Sequence, residues 1–368
     1  MILASILALG LAFLLGPGYL LWLASLSRRR DTPIGAPLPW PEIDVIVPVH
    51  NEASWIASKV ENLLELDYPP ERLRFLIVDG ASTDGTPGIA RDRAGVDPRF
   101  RILEIPRADK IAQLNAGLAR GSAPWVLVTD CDARLPAETL RRLAAAAPGR
   151  GVLGTVCEPD RAQALDRTHW NLHNRVRLAE SARGFASLVT APCYLFRRGL
   201  VERFPEDVVG DDVHVTLAAA ARGETSALVP VRVVELRSPR GLRELARHKF
   251  RKADAYAREI LRFAPSAPAM EPRVRAIFCW RAGQLLAFPL LFLFGAACVA
   301  VREPQLLVAA AAAIGLLGPR GLRLAALGLL LSGVLATVLL SLPFRRPTAC
   351  YAKVGPAREE GLLAPDSP

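Results

Sequence analysis

The sequence predicts an α/β domain on a mostly parallel sheet, flanked by transmembrane helices, and three observations predict it. Between Ile43 and Asp130, short apolar runs that read as buried strands alternate with segments of helical periodicity. That alternation places helices on both faces of a parallel sheet. Residues 1–26, "MILASILALGLAFLLGPGYLLWLASL", carry no charge and are long enough to cross a hydrocarbon core of about 30 Å. A second apolar zone runs from Gly283 to Phe344, broken only at "REP" and "GPRGLR".

The elements follow in order. Residues 1–27 read as an uncleaved membrane anchor, because no basic n-region precedes the apolar run and no A-x-A site follows it. "RRR" at 28–30 comes directly after, so the positive-inside rule keeps the next domain cytoplasmic, in a multi-pass inner-membrane protein. A Pro-rich linker, 31–41, leads into the domain at 42–262. "IDVIVPV" reads as a strand ending at "HNE"; "SWIASKVENLLEL" as a helix stopped by "DYPPE"; "LRFLIVDG" as a strand. "ASTDGT" turns into the helix "PGIARDRA"; "FRILEIP" is a third strand; "KIAQLNAGLARG" is a helix closed at Gly121; "PWVLVTD" is a fourth strand. Further on, "LDRTHWNLHNRVRLAE", "DDVHVTLAAAARG" and "GLRELARHKFRKADAYAREILRF" read as helices, with "SLVTAPCYLFRR" and "LVPVRVVEL" as strands. The block 272–345 holds two or three crossings, near 283–301, 305–318 and 322–343, the middle one short and Ala-rich. Residues 346–368 form a tail.

Composition narrows the class. The chain has 368 residues, 51% of them hydrophobic, enough for one domain plus membrane segments. The net charge of +10 is spread over arginines without aromatic interleaving, which excludes a nucleic-acid binder and points to anionic headgroups and a phosphorylated ligand. Six cysteines, at 131, 157, 193, 279, 298 and 350, show no C-x-x-C spacing and read as buried thiols.

Ligands of parallel sheets bind beyond the carboxyl ends of the strands. His50-Asn51-Glu52, Asp79 and the pair Asp130/Asp132 all fall at such ends. Asp130 and Asp132, two apart, can point to one side, while Cys131 between them is expected to face the other way and pack. Alone, the two acids could equally form a turn.

"VIVPVHNE", "VDGASTDGT", "KIAQLNAGL", "VTDCDA", "VGDDVHVT" and "RHKFRK" stand in the order and approximate spacing of the membrane-bound family 2 glycosyltransferases. That group includes hyaluronan, chitin and cellulose synthases and ceramide-glucosyltransferase-like enzymes. The resemblance covers about residues 42–262. It implies a GT-A fold and inverting transfer from a nucleotide sugar, with a family preference for UDP. It also implies a lipid or other membrane-embedded acceptor and Mg²⁺ or Mn²⁺ on Asp130 and Asp132. Such ions take oxygen ligands and need only one or two protein carboxylates.

The resemblance further implies donor contacts from Glu52, Asp79, Lys110, Asp130 and His248. Asp212 matches the family's base, which takes the acceptor proton, and Asp211 would orient it or raise its pKa. Arg251 keeps the anion-binding position of the family's Q-x-x-R-W motif, where a guanidinium can grip phosphate in a bidentate fork. Structural alternatives stand beside these roles: Asx-turn capping for Asp79 and Asp84, helix capping for Asp211 and Asp212, a solvated side chain for Lys110. His214 is expected to face the core.

This chain departs from the family in three places. "DGAS" puts Gly80 where many members carry a second acid; His248 replaces Gln; Lys252 replaces the Trp that stacks on a growing sugar chain. Loss of that aromatic favours one or a few transfers over a processive polysaccharide synthase. Lys249 and Lys252 also fit a basic helix face on the membrane surface. A nucleotide-binding membrane protein without turnover is a third reading, and the complete acid set speaks against it. His169 and His173 stand at i, i+4 with no third metal ligand evident.

Overall fold

The computed structural model describes residues 2–26, 40–184, 186–189, 192–316 and 318–344. The arginines at 28–30, most of the linker, Cys350 and the tail lie outside the described residues.

The strands are β1 (Ile43–Val49), β2 (Leu73–Gly80), β3 (Phe100–Ile105), β4 (Trp125–Thr129), β5 (Ala133–Arg134), β6 (Val152–Pro159), β7 (Cys193–Arg197) and β8 (Ser226–Glu235). They form one sheet in the order β3-β2-β1-β4-β7-β6-β8-β5. β1 to β4 run parallel, with Val49 opposite Asp79 and Val45 opposite Leu127. β7 runs against both β4 and β6, and β8 runs with β6. The carboxyl ends of β1, β2, β4, β6 and β8 therefore share one edge of the sheet, and β7 begins there.

All seven residues of β1 are buried, as expected of a strand covered on both faces. Alternate residues divide between two cores. Val45, Val47 and Phe75 pack with Ile56, Val60 and Leu63 of the helix Ala53–Leu64 on one face. Ile46, Leu76 and Val78 pack with Ile111, Leu114 and Leu118 of the helix Lys110–Arg120 on the other. At Gly117 that helix lies so close to β1 that a Cβ would meet Ile46 at 2.8 Å. The one acid in β1, Asp44, is fully buried and satisfied by Arg74 (2.7 Å), Arg198 (2.5 Å) and the Ala123 amide (2.8 Å).

The helices predicted in the second half are Ala164–Ser181, Asp211–Ala221 and Gly241–Phe263. Three further elements carried no clear signal: β5, β6 and the helix Thr139–Ala146. β6 contains Gly154 and ends at Pro159, which breaks the apolar alternation of "VLGTVCEP".

Among the described residues three helices are long and apolar enough to cross a membrane: Ile6–Ser25, Pro272–Arg302 and Gly318–Phe344. The second starts earlier than the apolar run at 283 implies, because "PRVRAIFCWRA" forms helix ahead of it. Pro304–Leu316 has 13 residues, shorter than the roughly 20 a crossing helix needs. The first span packs on the second: the Gln284 amide donates to the Leu15 carbonyl at 2.7 Å, and Trp22 stacks on Trp280 at 5.7 Å.

A buried carboxylate ties these spans to the sheet domain. Glu180, fully buried at the end of Ala164–Ser181, accepts from Tyr19 of the first span and from Arg281 of the second at 2.6 Å. It also accepts from Arg177 at 3.3 Å and from the amide and hydroxyl of Ser187. Cys131, Cys157, Cys193 and Cys298 are buried thiols, but Cys279 is exposed, contrary to expectation, on the helix that opens the second span.

Candidate active site

The shared strand edge gathers the predicted residues. Lys110, at the first turn of its helix, donates to Asp130 Oδ1 at 3.0 Å and reaches Asp211 Oδ1 at 3.3 Å. It is therefore no solvated surface lysine; it joins the D-x-D stretch to the second acid pair. Tyr194 of β7 donates to the other oxygen of Asp211 at 2.6 Å. Asp211 is thus held on both oxygens and buried, while the half-buried Asp212, among the described residues, accepts from its neighbour's amide alone, Val213 N, at 2.8 Å. Both acids open the helix Asp211–Ala221, so the first-turn position and the site position coincide.

Electrostatics separate the acids. Burial works to raise the Asp130 carboxyl, but the Lys110 ammonium, backed by Lys252 and Lys59, holds it below its ordinary value. Burial and then Asp130 push Asp132 up to about 7, against Arg237. Burial and then Asp211 push Asp212 up to about 7, against Lys110 and Lys252. A base poised near neutrality next to a locked acid partner suits proton abstraction at physiological pH.

Asp79 is buried at the end of β2. Its Oδ2 accepts from Ser82 N at 2.9 Å, and its Oδ1 is buried with no partner. The Asx-turn role and a free acceptor oxygen therefore coexist in one carboxylate. Asp84 is fully employed in the turn, accepting from Thr86 N and Oγ1 and from Ala53 N. Gly80 has a steric cause: a Cβ there would lie 2.8 Å from both the Arg107 carbonyl and the Gln113 amide. Gln113 itself donates to the carbonyls of Val49 and Val78, tying β1 to β2 just before the site.

Several participants escaped sequence reasoning. Arg237, two residues past β8, pairs with both carboxylate oxygens of Glu52, approaches Asp132 at 3.8 Å and covers the Trp55 ring at 5.3 Å. Glu52 is therefore engaged, and any donor contact it makes is shared with Arg237. Lys59, 2% exposed, donates to Thr129 Oγ1 (2.9 Å) and the Ala133 carbonyl (2.7 Å), directly beneath the D-x-D turn. Asn62 grips Leu135 N and O on the same side. The signal for Arg237 was its place after a strand ending at the shared edge; for Lys59 it was a lysine on the apolar face of an amphipathic helix.

The helix Gly241–Phe263 supplies His248 and Arg251. His248 is 6% exposed with Nδ1 unpartnered, and burial followed by the charge of Lys252 keeps its ring neutral. Arg251 is half-buried with Nε unpartnered. The membrane-surface reading of Lys249 and Lys252 does not hold. Lys249 is buried against Asp166 at 2.8 Å, and Lys252 lies over the Trp170 ring at 4.7 Å with its charge bearing on Asp130, Asp212 and Glu235. His214 is 7% exposed and meets Glu259 at 2.8 Å, inside the core as expected.

Asp130 and Asp132 suit a hard divalent cation: both offer oxygen, they repel one another, and Arg237 approaches Asp132 no nearer than 3.8 Å. Among the described residues no three His, Cys, Asp or Glu side chains gather as a metal cage. The remaining positions would thus fall to water and ligand oxygens, the usual arrangement for Mg²⁺. His169 and His173 stack on one another at 5.7 Å.

Known proteins share this architecture. The family profile Glycosyl transferase family 2 matches residues 44–204. An N-acetylglucosaminyltransferase of Mesorhizobium japonicum is 28% identical over 255 residues, covering 63% of this chain and 59% of the relative. The beta-monoglucosyldiacylglycerol synthase of Synechocystis is 32% identical over 133 residues, 33% of this chain and 28% of that one. The chain spans about three-fifths of the length of the N-acetylglucosaminyltransferases it matches. Among solved structures, the mannosyltransferase PcManGT of Pyrobaculum calidifontis, in complex with GDP-Man and Mn²⁺, superposes with a TM-score of 0.74 at 26% identity. That match covers 92% of this chain and 98% of PcManGT. The profile spans the strands that end at Glu52, Asp79 and Asp130, and the superposition extends the likeness into the apolar helices. Residues 44–204 thus match the glycosyl transferase family 2 profile, and the chain carries the GT-A fold.

Proposed function

We propose that the protein transfers a sugar, with inversion, from a nucleotide sugar to a hydroxyl of a membrane lipid, with UDP as the nucleotide. The observation that carries this reading is Asp212: half-buried, raised to about 7, and backed by an Asp211 held between Tyr194 and Lys110. In the transfer the acceptor O–H proton passes to the Asp212 carboxylate. The acceptor oxygen bonds to the anomeric carbon from the face opposite the leaving group. The bond from that carbon to the phosphate oxygen breaks, and the nucleoside diphosphate departs. Asp79 Oδ1 offers the acceptor for a base or ribose donor, and Arg251 offers a guanidinium for the diphosphate. Asp130 and Asp132 would hold Mg²⁺ or Mn²⁺, which neutralises charge on the departing phosphate as a Lewis acid.

The Mn²⁺ and GDP-Man in PcManGT support the donor class and the ion, and the glucosyldiacylglycerol synthase supports a lipid acceptor. The apolar spans support a multi-pass location, and the arginines at 28–30 support a cytoplasmic domain in the inner membrane. A processive synthase gains nothing from Trp170, whose ring is 3% exposed and covered by two lysine ammonium groups. The test supplies full-length protein in detergent with UDP-GlcNAc, UDP-glucose or GDP-mannose, Mn²⁺ and a bacterial lipid extract, and reads new glycolipids by mass spectrometry. One donor yielding a lipid product that Asp212→Asn abolishes supports the reading. A D212N variant with full transfer, or long polymer as the product, overturns it.

A further inference from the structure

Each acid of the D-x-D turn stands beside a cation that the fold holds in place. The chain at the end of β8 is laced to this turn by its backbone: Ala133 pairs with Glu235, and Leu236 N donates to the Asp132 carbonyl at 2.8 Å. Arg237 comes next and is thereby set beside Asp132, its Nε 3.8 Å from Oδ2. Its side chain is 11% exposed and forked onto both oxygens of Glu52, with the guanidinium 5.3 Å from the centre of the Trp55 ring. At the other acid, Lys110 donates to Asp130 at 3.0 Å and is held on its far side by Asp211 at 3.3 Å.

These anchors decide how the turn meets a divalent ion. A lysine on a free stem can swing aside when an ion arrives, but a guanidinium forked onto a buried carboxylate stays where it is. An ion on Asp130 and Asp132 therefore lies within reach of two fixed positive charges, in a buried place where water screens them weakly. The two acids also fill only part of the coordination shell, since among the described residues no group of three His, Cys, Asp or Glu gathers there. A nucleoside diphosphate changes both terms at once. Its phosphate oxygens complete the shell, and its negative charge offsets Arg237 and Lys110. Glu52 sets the balance, because it offsets part of the Arg237 charge from the opposite side.

We propose that Arg237, fixed by Glu52, makes ion binding conditional on the nucleotide: the ion enters Asp130 and Asp132 with a nucleoside diphosphate and leaves with it. The proposal rests on the glycosyltransferase reading for the diphosphate, whereas the opposition between Arg237 and the ion stands without it.

Electron paramagnetic resonance of free Mn²⁺ tests it on the full-length protein in a nonionic detergent at pH 8, without nucleotide and with UDP or GDP. In wild type, one nucleotide is expected to tighten Mn²⁺ at least about tenfold, and Mn²⁺ to tighten that nucleotide by the same factor. Arg237→Met is expected to tighten Mn²⁺ alone about tenfold, the order of one unit charge at this range, and to shrink the help from the nucleotide by as much. Arg237→Lys, which keeps the charge, is expected to stay within about threefold of wild type. Glu52→Gln, which leaves Arg237 its full charge, is expected to weaken Mn²⁺ alone. The double variant E52Q/R237M, which leaves neither partner as an unpaired buried charge, is expected to bind Mn²⁺ alone more tightly than E52Q, and it decides the matter if R237M does not fold. If Arg237 merely braced the turn, its removal would weaken Mn²⁺ in both backgrounds, and that result overturns the proposal. Mn²⁺ affinity that ignores Arg237, or that ignores both nucleotides in wild type, overturns it equally. Failure of the glycosyltransferase reading shows separately, as the absence of sugar transfer with any donor while nucleotide-dependent Mn²⁺ binding persists.

Discussion

Lys110 stands 3.0 Å from Asp130, and the same ammonium lies 3.3 Å from Asp211. One cation thereby spans the acid pair suited to a metal and the acid pair suited to proton abstraction, so the two cannot titrate independently. Lys110→Met removes a charge that lowers both Asp130 and Asp212. The expected result is a loss of kcat/KM of about 10- to 100-fold, of the size of one lost charge-assisted contact to a reacting group. The acid limb of the pH profile moves to higher pH, which a loss of folding alone would not produce.

In the wild type, the rate is expected to rise with pH through about 7, because Asp212 is held up to about 7 and accepts a proton only when ionised. Initial rates from pH 5.5 to 9 at saturating metal check this. A flat profile over that range would remove Asp212 as the base.

Stability without metal should run the other way. Asp132 and Asp212 are raised from 3.8 to about 7 in the fold. The folded state therefore holds more protons than the unfolded chain between about pH 4 and pH 7, and stability falls as pH rises through that window. Adding Mn²⁺ with UDP at pH 8 is expected to raise Tm, and EDTA to reverse it. Asp132→Asn is expected to raise Tm of the metal-free protein at pH 8 while abolishing the Mn²⁺ response.

Lys59→Met tests the underside of the D-x-D turn. The variant leaves the Ala133 carbonyl and Thr129 hydroxyl without their buried donor, an expected loss of about 1–3 kcal/mol measurable by urea denaturation. The metal concentration giving half-maximal rate is expected to rise as well, because the turn carrying Asp130 and Asp132 loses its support. Asn62→Leu, which frees Leu135 N and O, should lower stability with a smaller effect on the metal response.

The strands and helices up to Asp130 were legible because each is a uniform apolar or periodic run, and the acids at their ends marked the site. Arg237 and Tyr194 were not legible, since one follows a strand and the other lies within one, and only sheet order brings them to the acids. The same order explains the two lysines. At i, i+3 on a basic helix they resemble a solvated face, but the neighbouring helix supplies Asp166 and Trp170 to receive them. Gly80 reads in sequence as a lost acid; packed between Arg107 and Gln113, it is the residue that fits.

Glu180 has a consequence for which acceptors can be used. A carboxylate gripped at once by Tyr19, Arg177 and Arg281 leaves the domain no freedom to ride up or down on its anchors. On the lipid-acceptor reading proposed above, Asp212 is then carried at a set height above the lipid surface, like the mark on a ruler. A headgroup that places its hydroxyl short of that height, or beyond it, is expected to go unmodified whatever its chemistry.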